Sequence, residues 1–226
     1  MRKIEGNPVL TKKQQMLLKH FGKWEDSSLF YLTGGTALSA FYLQHRFSED
    51  LDFFTEGEVR LEPLLALLRV VPGIEDFSLE RKFDRRIFLV RFREGESVRV
   101  EFAPYPFKRL DPLQMVEGIQ VDSVKDILAN KLFALADRKD VKDYIDIFFI
   151  LRKRPDLSVD QLVSMAEQKF DIKGIYYILQ GRFLECPESI GSIRLIEEME
   201  AKEMVSFFRE VGKAMVRRSV NEMSNG

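Results

Sequence analysis

The stretch Thr33–Phe54, TGGTALSAFYLQHRFSEDLDFF, decides the fold of this chain. Short apolar runs at both of its ends have the character of strands, and a periodic apolar segment with the character of a helix lies between them. Gly34 and Gly35 form the turn from the first strand into the helix. We therefore predict a strand over 29–33, a helix over 36–44 and a strand over 51–54.

Two aspartates alternate at the start of the second strand. Asp50 and Asp52 are two positions apart, so on a strand their side chains share one face, about 7 Å apart along the chain. Two carboxylates on one face repel each other and are costly to remove from water. A hard divalent cation bound between them removes both problems. The spacing thus predicts a metal site.

The glycine turn suggests a second kind of site. Backbone N–H groups and a helix N-terminus around Gly34, Gly35 and Thr36 can receive phosphate. Each motif alone is weak, because most Gly-Gly pairs are only turns and most Asp-x-Asp pairs lie at strand edges or cap helices. Their succession within one strand–helix–strand unit favours a nucleoside triphosphate held for nucleotidyl transfer.

Composition limits the possible classes of protein. The chain has 226 residues, 45% hydrophobic and 31% charged, with a net charge of −1. There is no global basic field, so a polyanionic partner must meet a local patch. One cysteine and two histidines exclude an intrachain disulfide framework and a histidine-rich zinc site, and fit a reducing cytosol.

Membrane insertion and secretion are not expected. No apolar run approaches the roughly 18 residues that span a bilayer. Near the start of the chain, Val9 and Leu10 are followed at once by Lys12 and Lys13, which does not fit a secretory signal. We expect a cytoplasmic protein without a membrane partner.

The predicted elements change in type along the chain. The pattern favours an α+β fold, in which a mixed-sheet domain over 1–110 is followed by an all-helical domain over 111–226 that closes an active-site cleft. Besides the decisive stretch, the predicted elements are a helix over 11–24 capped by Thr11, a short helix over 61–71, a hairpin of strands 77–83 and 87–92, a strand over 97–103, and helices over 124–137, 141–152, 159–169, 173–180 and 195–219.

A third carboxylate follows from strand alternation. Val98, Val100 and Phe102 lie on one face of the strand 97–103, which leaves Arg99 and Glu101 on the other. Glu101 is either a third metal ligand or a solvated residue beside Arg99, and the sequence supports both interpretations equally.

The helical half carries a lysine and two aspartates. Lys131 lies in a mostly apolar helix, where a lysine usually extends to solvent. Asp143 and Asp146 are three apart and share a side of the helix 141–152, which is apolar nearly all round. Asp143 can cap that helix, with Asp140 as the other candidate. Asp146 lies too deep to cap, so it needs a partner, either Lys131 or an active-site group.

Four cations crowd the predicted hairpin. Arg81, Lys82, Arg85 and Arg86 lie within six positions. Such a group is usually a solvated loop, but with an RNA acceptor it would contact phosphates.

Together these motifs resemble the AbiEii-type toxin family of nucleotidyltransferases, within the polymerase-β-like superfamily. The stretches 33–38 and 45–54 together look like the family's opening motif. Residues 131–138 and 142–147 look like its later Lys and Asp-x-x-Asp motifs, so the resemblance spans about residues 29–152. The chain has Glu101 where relatives often show Asp, and Thr36 where the superfamily usually has Ser.

The resemblance implies roles for these positions. The implied catalytic residues are Asp50, Asp52, Lys131 and Asp146. The implied ligands of Mg²⁺, or of Mn²⁺, are Asp50, Asp52 and Glu101. The implied substrate-binding residues are Gly34, Gly35, Thr36, Arg46, Ser48, Lys131 and Asp143. The implied partners are a nucleoside triphosphate, an RNA acceptor and an antitoxin protein.

Three functions remain open at this stage. The first is a toxin-like enzyme that modifies RNA, the second is the same chemistry on a protein or a small molecule, and the third is a non-catalytic nucleotide-binding module. The intact carboxylates and Lys131 count against the third, and the near-neutral charge counts slightly against the first. In the enzyme interpretations, Lys131 and Asp146 are expected to line the same cleft as Asp50 and Asp52, and Lys131→Ala to reduce transfer much more than stability.

Overall fold

The structure, a computed structural model, describes residues 2–224 and divides into two compact units. The first unit ends at Ile127 and the second begins at Leu128. The first contains a mixed sheet with helices, and the second is built of helices. The predicted α+β class is confirmed.

The sheet of the first unit has seven strands in the order β3-β4-β5-β2-β1-β7-β6. The strands are β1 (Tyr31–Thr33), β2 (Leu51–Thr55), β3 (Ile74–Lys82), β4 (Arg85–Phe92), β5 (Ser97–Pro104), β6 (Gln114–Val116) and β7 (Ile119–Val121). β2 pairs with β5, and β1 with β7, in parallel; the remaining neighbours are antiparallel.

The helices of the first unit begin with α1 (Lys12–Phe21), which Thr11 caps as the sequence predicts. The hydroxyl of Thr11 accepts from the Gln14 N–H, and the Gln14 side chain accepts from the Thr11 N–H, forming a capping box. A short 3-10 helix (Glu25–Leu29) precedes β1, and α3 (Leu61–Val70) precedes β3.

The helix predicted over 36–44 takes a different form. A short helix α2 (Gly34–Ala37) continues as a π-helical segment, Leu38–Leu43. The Gln44 N–H donates to the carbonyl of Ser39, five residues back, at 2.9 Å. Gln44 itself is left-handed, with φ +55°. Apolar periodicity does not reveal this wider turn, because the segment has only six residues and five of them are buried.

The hairpin of β6 and β7 was not predicted. It turns at Glu117 and Gly118, which have φ values of +46° and +85°, and β7 joins the sheet beside β1. Strands of three residues are too short to show alternation. Because this hairpin belongs to the sheet, the division falls after Ile127 rather than near residue 110. Helix α4 (Val124–Asp137) begins in the first unit.

Phenylalanines fill the core on one face of the sheet. The ring of Phe53 stacks on Phe21 of α1 at 4.0 Å and on Phe102 at 5.2 Å, and Phe88 meets Phe102 edge-on at 6.1 Å. Each buried ring contributes about 1.5–3 kcal/mol. Because Phe53 faces this core, strand alternation turns Asp52 to the opposite face.

The second unit is held by α5 and its partners. Its helices after α4 are α5 (Val141–Lys153), α6 (Val159–Phe170), α7 (Ile175–Leu184) and α8 (Ala201–Ser224). Every residue from Asp143 to Leu151 is buried. The ring of Phe208 meets Tyr144 at 5.3 Å and Phe183 at 5.1 Å. The burial predicted for the helix 141–152 is confirmed.

Candidate active site

Strand register brings the predicted carboxylates of the first unit together. Asp52 on β2 lies opposite Glu101 on β5 and opposite Thr33 on β1. Because residues in register share a face of the sheet, Asp52, Arg99 and Glu101 project to the side away from the phenylalanine core. We call this side the site face.

Arg99 links all three carboxylates on the site face. Its Nη1 lies 3.8 Å from Oδ2 of Asp50 and 4.0 Å from Oδ1 of Asp52, and its Nη2 donates to Oε2 of Glu101 at 2.6 Å. Partial burial lowers the pKa of the Arg99 guanidinium, but the hydrogen bond to Glu101 and the three negative charges outweigh it and raise that pKa above its usual value. Arg99 is a site residue that the sequence reasoning named only as a neighbour of Glu101.

The three carboxylates differ in their surroundings. The side chains of Asp50 and Asp52 remain 43% and 27% exposed, so their contacts with Arg99 are weak individually. Glu101 is only 5% exposed, and its Oε1 lies 3.0 Å from Nη1 of Arg85. Glu101 is therefore not a solvated residue, although it does share its face with Arg99, as that interpretation proposed.

The glycine turn makes room for the site. Gly34 has φ +71°, and a Cβ at this position would lie 2.5 Å from Oδ2 of Asp52. A Cβ at Gly35 would overlap Nη2 of Arg46 and would lie 3.1 Å from Oγ of Ser48. The left-handed backbone favours glycine at position 34, and a side chain at either position would have to displace Asp52 or Arg46. The sequence indicates a turn and a phosphate site at these glycines, and the clearance for Asp52 and Arg46 is a further reason for them.

Thr36 and Arg46 tie the turn to the segment before β2. The buried Thr36 hydroxyl donates to the backbone carbonyl of Asp50. Arg46 is also buried, and its Nη1 donates to the carbonyl of Phe47 at 3.0 Å. The structure therefore brings together the predicted residues Gly34, Gly35, Thr36, Arg46, Ser48, Asp50, Asp52 and Glu101.

Gln14 is a supporting residue that the sequence reasoning did not identify. Its Nε2 donates to the backbone carbonyls of Ser48 at 2.9 Å and Glu49 at 3.0 Å. The same side chain closes the capping box of α1, so the start of that helix anchors the loop before Asp50. The capping motif is visible in the sequence, but the contact with a loop more than thirty residues away leaves no local signal.

The second unit holds a separate buried cluster. Nζ of Lys131 lies 2.7 Å from Oδ1 of Asp143 and 2.8 Å from Oδ2 of Asp146, and Nε of Arg138 donates to Asp143 at 3.2 Å. We call Lys131, Asp143 and Asp146 the lysine cluster. Both aspartates are fully buried and the Lys131 side chain is only 11% exposed. Lys131 thus does not extend to solvent, and it is the partner that Asp146 requires.

The cap of α5 explains why Asp143 is available for the cluster. The side chain of Asp140 accepts from the Lys142 N–H and caps the helix. Asp143, which the sequence left as a possible cap, instead pairs with Lys131. Of the three aspartates at the start of α5, Asp140 therefore caps the helix, and Asp143 and Asp146 bind Lys131.

The exposed pair on the site face fits a divalent cation. Asp50 and Asp52 supply hard oxygen donors, and the Arg99 guanidinium already places positive charge against both. Within residues 2–224, no group of three or more His, Cys, Asp or Glu side chains is arranged to hold a metal. Mg²⁺ is commonly bound by one or two carboxylates together with substrate phosphates, so two carboxylates are a sufficient contribution from the protein.

No helix within the described part of the chain is long and apolar enough to cross a membrane.

A mixed sheet that carries Asp-x-Asp beside a Gly-Gly-Thr turn defines a nucleotidyltransferase. The sequence model of a known family supports this class: the family described as "Nucleotidyl transferase AbiEii toxin, Type IV TA system" matches residues 17–219. The chain belongs to this family of nucleotidyltransferase toxins. The match includes most of the C-terminal third, where the sequence carries no motif that we could assign.

One relative in sequence and two solved structures are similar to this chain over most of its length. The uncharacterized protein aq_aa25 of Aquifex aeolicus (strain VF5) is 30% identical over 182 residues, which is 76% of this chain and 85% of that protein. The crystal structure of JHP933 from Helicobacter pylori has a TM-score of 0.62 at 19% identity and covers 96% of this chain and 97% of its own. MenT4, the nucleotidyltransferase toxin Rv2826c from Mycobacterium tuberculosis H37Rv, has a TM-score of 0.54 at 16% identity, with 94% and 88% covered. At these identities the two solved structures support the fold alone.

Proposed function

We propose that this protein is a Mg²⁺-dependent toxin that transfers a nucleoside monophosphate from a nucleoside triphosphate to RNA. One observation carries the proposal: the exposed carboxylates of Asp50 and Asp52 share a cation directly beside the Gly34–Gly35 turn. The family is one of toxin–antitoxin systems, so an antitoxin protein is the expected partner. The triphosphate supply makes the cytoplasm the expected location.

In this proposal the site face holds the metal and the turn holds the triphosphate. Asp50 and Asp52 would hold the metal, with Glu101 as a third ligand. Bound Mg²⁺, or Mn²⁺ in its place, would supply charge stabilisation for the entering and leaving oxygens of an in-line displacement at the α-phosphorus, with pyrophosphate as the leaving group. Glu101 can act as a ligand only if it gives up a contact with Arg85 or Arg99, because both of its oxygens contact these arginines.

The residues around the turn bind the triphosphate. The backbone N–H groups at Gly34, Gly35 and Thr36 offer donors at a helix start. The side chains of Arg46 and Ser48 lie so close to Gly35 that a Cβ at this position would contact both. Thr36 has its hydroxyl committed to the Asp50 carbonyl. Its role is therefore to fix the distance between the phosphate-binding turn and the metal ligands, in addition to donating its backbone N–H.

The lysine cluster is the contribution of the second unit. We assign to Lys131 the neutralisation of phosphate charge, and to Asp143 and Asp146 the orientation of its ammonium, with Asp146 also assisting the acceptor. The assignment is supported by the family's Lys and Asp-x-x-Asp motifs and by the two short contacts of Nζ. Fixed positioning of a charge before the substrate arrives is a large source of catalysis in phosphoryl chemistry.

RNA is the proposed acceptor because the site face also carries exposed cations. Lys82 and Arg85 are exposed, and Arg85 contacts Glu101. Positive side chains beside a transfer site favour a polyanionic acceptor.

The reaction and its acceptor are tested together. The protein is incubated with each α-labelled nucleoside triphosphate and Mg²⁺, in parallel with total cellular RNA and with total cellular protein, and the products are separated by size after nuclease or protease treatment. We expect label in RNA from a preferred triphosphate and none with Asp52→Asn. Label in protein or in a small product would overturn the acceptor, and no label with any triphosphate in Mg²⁺ or Mn²⁺ would overturn the reaction.

A further inference from the structure

The tip of the β3–β4 hairpin carries charges that work against its own stability. We call residues 81–86 the hairpin tip. Arg81 lies directly opposite Arg86, and Lys82 directly opposite Arg85. Like charges in directly opposed positions destabilise a pair of strands. Two successive pairs of this kind would be relieved by an anionic partner.

The turn of this hairpin presents an aromatic ring to solvent. Phe83 is 91% exposed and has φ +52°, a left-handed conformation that is uncommon for residues other than glycine. Its ring lies between the two flanking pairs of cations in the sequence. An exposed aromatic ring among positive side chains is the combination that binds single-stranded nucleic acids, where rings stack on bases and cations meet phosphates.

Strand register determines which of these cations face the site. Ile87 lies opposite Glu101, so alternation along β4 places Arg85 on the site face, and Lys82 shares that face because it lies opposite Arg85. The Arg81–Arg86 pair projects to the other side. There Arg81 and Arg86 line an open cleft of about 650 Å³ together with Arg60 and with four acidic residues, Glu56, Glu58, Glu62 and Asp84. The four carboxylates outnumber the three arginines, so that cleft is the less suitable surface for a polyanion.

The hairpin tip is close to the metal ligands. β4, β5 and β2 are consecutive neighbours in the sheet, so two strand spacings of about 4.8 Å separate β4 from β2. Arg85 is two positions from Ile87, about 7 Å along the strand. A short stretch of extended RNA bound at the tip can therefore reach Asp50 and Asp52.

We propose that the hairpin tip is the docking site for the single-stranded end of the RNA acceptor. Phe83 stacks on a base, and Lys82 and Arg85 contact the flanking phosphates. The inference rests on the proposed function, since it concerns the acceptor of that reaction. A single strand is required because a paired stem hides the base faces on which Phe83 would stack.

Stacking is tested by equilibrium binding. Fluorescence anisotropy is measured with a short labelled single-stranded RNA of mixed sequence and with the same RNA annealed to its complement. We expect Phe83→Ala to weaken single-strand binding about tenfold. Phe83→Trp should keep the affinity, whereas Phe83→Leu should behave as Phe83→Ala, because an aliphatic side chain has no π-face. The annealed RNA should bind more weakly than the single strand.

The phosphate contacts are tested by salt dependence. Lys82→Gln should reduce the slope of log affinity against log salt concentration by about one. Matched controls lie in the second unit: Tyr177 is an aromatic residue 56% exposed, and Lys202 has a side chain 85% exposed. Tyr177→Ala and Lys202→Gln should leave RNA affinity and its salt slope unchanged, and melting temperatures confirm that all variants are folded.

The outcomes separate this inference from the reaction itself. If the wild type labels RNA but Phe83→Ala binds single-stranded RNA as the wild type does, the docking site is refuted and the reaction stands. If RNA binding depends on Phe83 but no RNA is labelled, the hairpin tip binds RNA, but the transfer to RNA and the acceptor role of the bound strand are refuted. If Phe83→Ala binds RNA as the wild type does but no longer labels protein, the hairpin serves a protein acceptor and the inference is overturned.

Discussion

Two pairs of aspartates in this protein bind cationic side chains in opposite ways. Asp50 and Asp52 are partly exposed and lie 3.8 and 4.0 Å from the guanidinium of Arg99. Asp143 and Asp146 are fully buried and lie 2.7 and 2.8 Å from the ammonium of Lys131. Both pairs lie in stretches that resemble motifs of the same family, yet their surroundings differ in water access and in contact distance.

This difference determines what each pair can do. An exposed ion pair is worth about 0–1 kcal/mol, so Asp50 and Asp52 can exchange Arg99 for another cation at little cost. Removing one partner of a buried pair costs about 3–5 kcal/mol, because a charge is left without compensation. The first pair is suited to exchange its cation during a reaction cycle, and the second to hold one cation in place.

The largest expected effect is on activity at the exposed pair. Asp50→Asn and Asp52→Asn should each lower the rate of transfer on the order of 10³-fold or more, since each removes a proposed metal ligand. Stability should stay within about 0.5 kcal/mol of the wild type, because like-charge repulsion is relieved as the contact with Arg99 is lost. Initial rates with labelled triphosphate and urea denaturation measure the two effects, and wild-type turnover in both variants would remove these residues from the site.

The next effect is on stability at the buried pair. Lys131→Ala should lower the free energy of unfolding by about 3–5 kcal/mol, since two buried carboxylates lose their shared cation. This revises the expectation from sequence that Lys131→Ala would reduce transfer much more than stability, because that expectation assumed a lysine that contributes little to folding.

Arg138 provides the matched control for Lys131. It also pairs with Asp143, but its side chain is 59% exposed. Arg138→Ala should therefore cost no more than about 1 kcal/mol. Urea denaturation of both variants checks the contrast, and equal losses would mean that burial does not distinguish the two cations.

A third prediction concerns the glycine turn beside the exposed pair. Gly34→Ala introduces a Cβ 2.5 Å from Oδ2 of Asp52 at φ +71°, whereas Gly6 has φ +68° with nothing within 4 Å of a Cβ. Gly6→Ala should cost about 1–2 kcal/mol from backbone strain alone. Gly34→Ala should cost more and should also reduce transfer at least about tenfold, as the shift of a catalytic group by an ångström does.

The difference between the two glycine variants measures the contact with Asp52. It is read from the free energies of unfolding and from the transfer rate. If Gly34→Ala equals Gly6→Ala in stability and keeps full activity, the close approach of Asp52 to the turn has no functional consequence.

The smallest effect is expected at Arg99. Arg99→Gln removes the cation shared by Asp50, Asp52 and Glu101, so stability without metal should fall by about 1 kcal/mol. The increase of the melting temperature on adding MgCl₂ should then be larger than in the wild type, since Mg²⁺ has no guanidinium to displace. Arg91→Gln is the control, because Arg91 pairs with Asp76 away from these carboxylates. Identical MgCl₂ responses in all three proteins would separate Arg99 from the metal site.

The sequence predicted what depends on short-range patterns. The strand that carries Asp52 follows from alternation. The caps of α1 and α5 follow from capping residues, and the burial of α5 follows from helical periodicity. The need of Asp146 for a partner also followed, because a carboxylate in an apolar helix requires one, but the sequence left the choice between Lys131 and an active-site group open.

The rest depends on contacts between distant parts of the chain. The β6–β7 hairpin is stabilised by pairing with β1, more than eighty residues earlier, and its three-residue strands carry no pattern of their own. The anchoring of the Ser48 carbonyl by Gln14 and the placement of Arg99 between three carboxylates arise only when the sheet and α1 are assembled. The sequence shows the Gly34–Gly35 turn, but the close approach of Asp52 and Arg46 to these glycines arises only in the folded chain.

The central claim is that Asp50 and Asp52 hold a catalytic cation with the triphosphate, and bound Mn²⁺ tests it most directly. Electron paramagnetic resonance counts bound Mn²⁺ with a non-hydrolysable triphosphate in the wild type, in Asp50→Asn/Asp52→Asn and in the Gly6→Ala control. The account predicts Mn²⁺ bound to the wild type and the control, and none above the triphosphate-only level in the double variant. Undiminished Mn²⁺ binding by the folded double variant would contradict it.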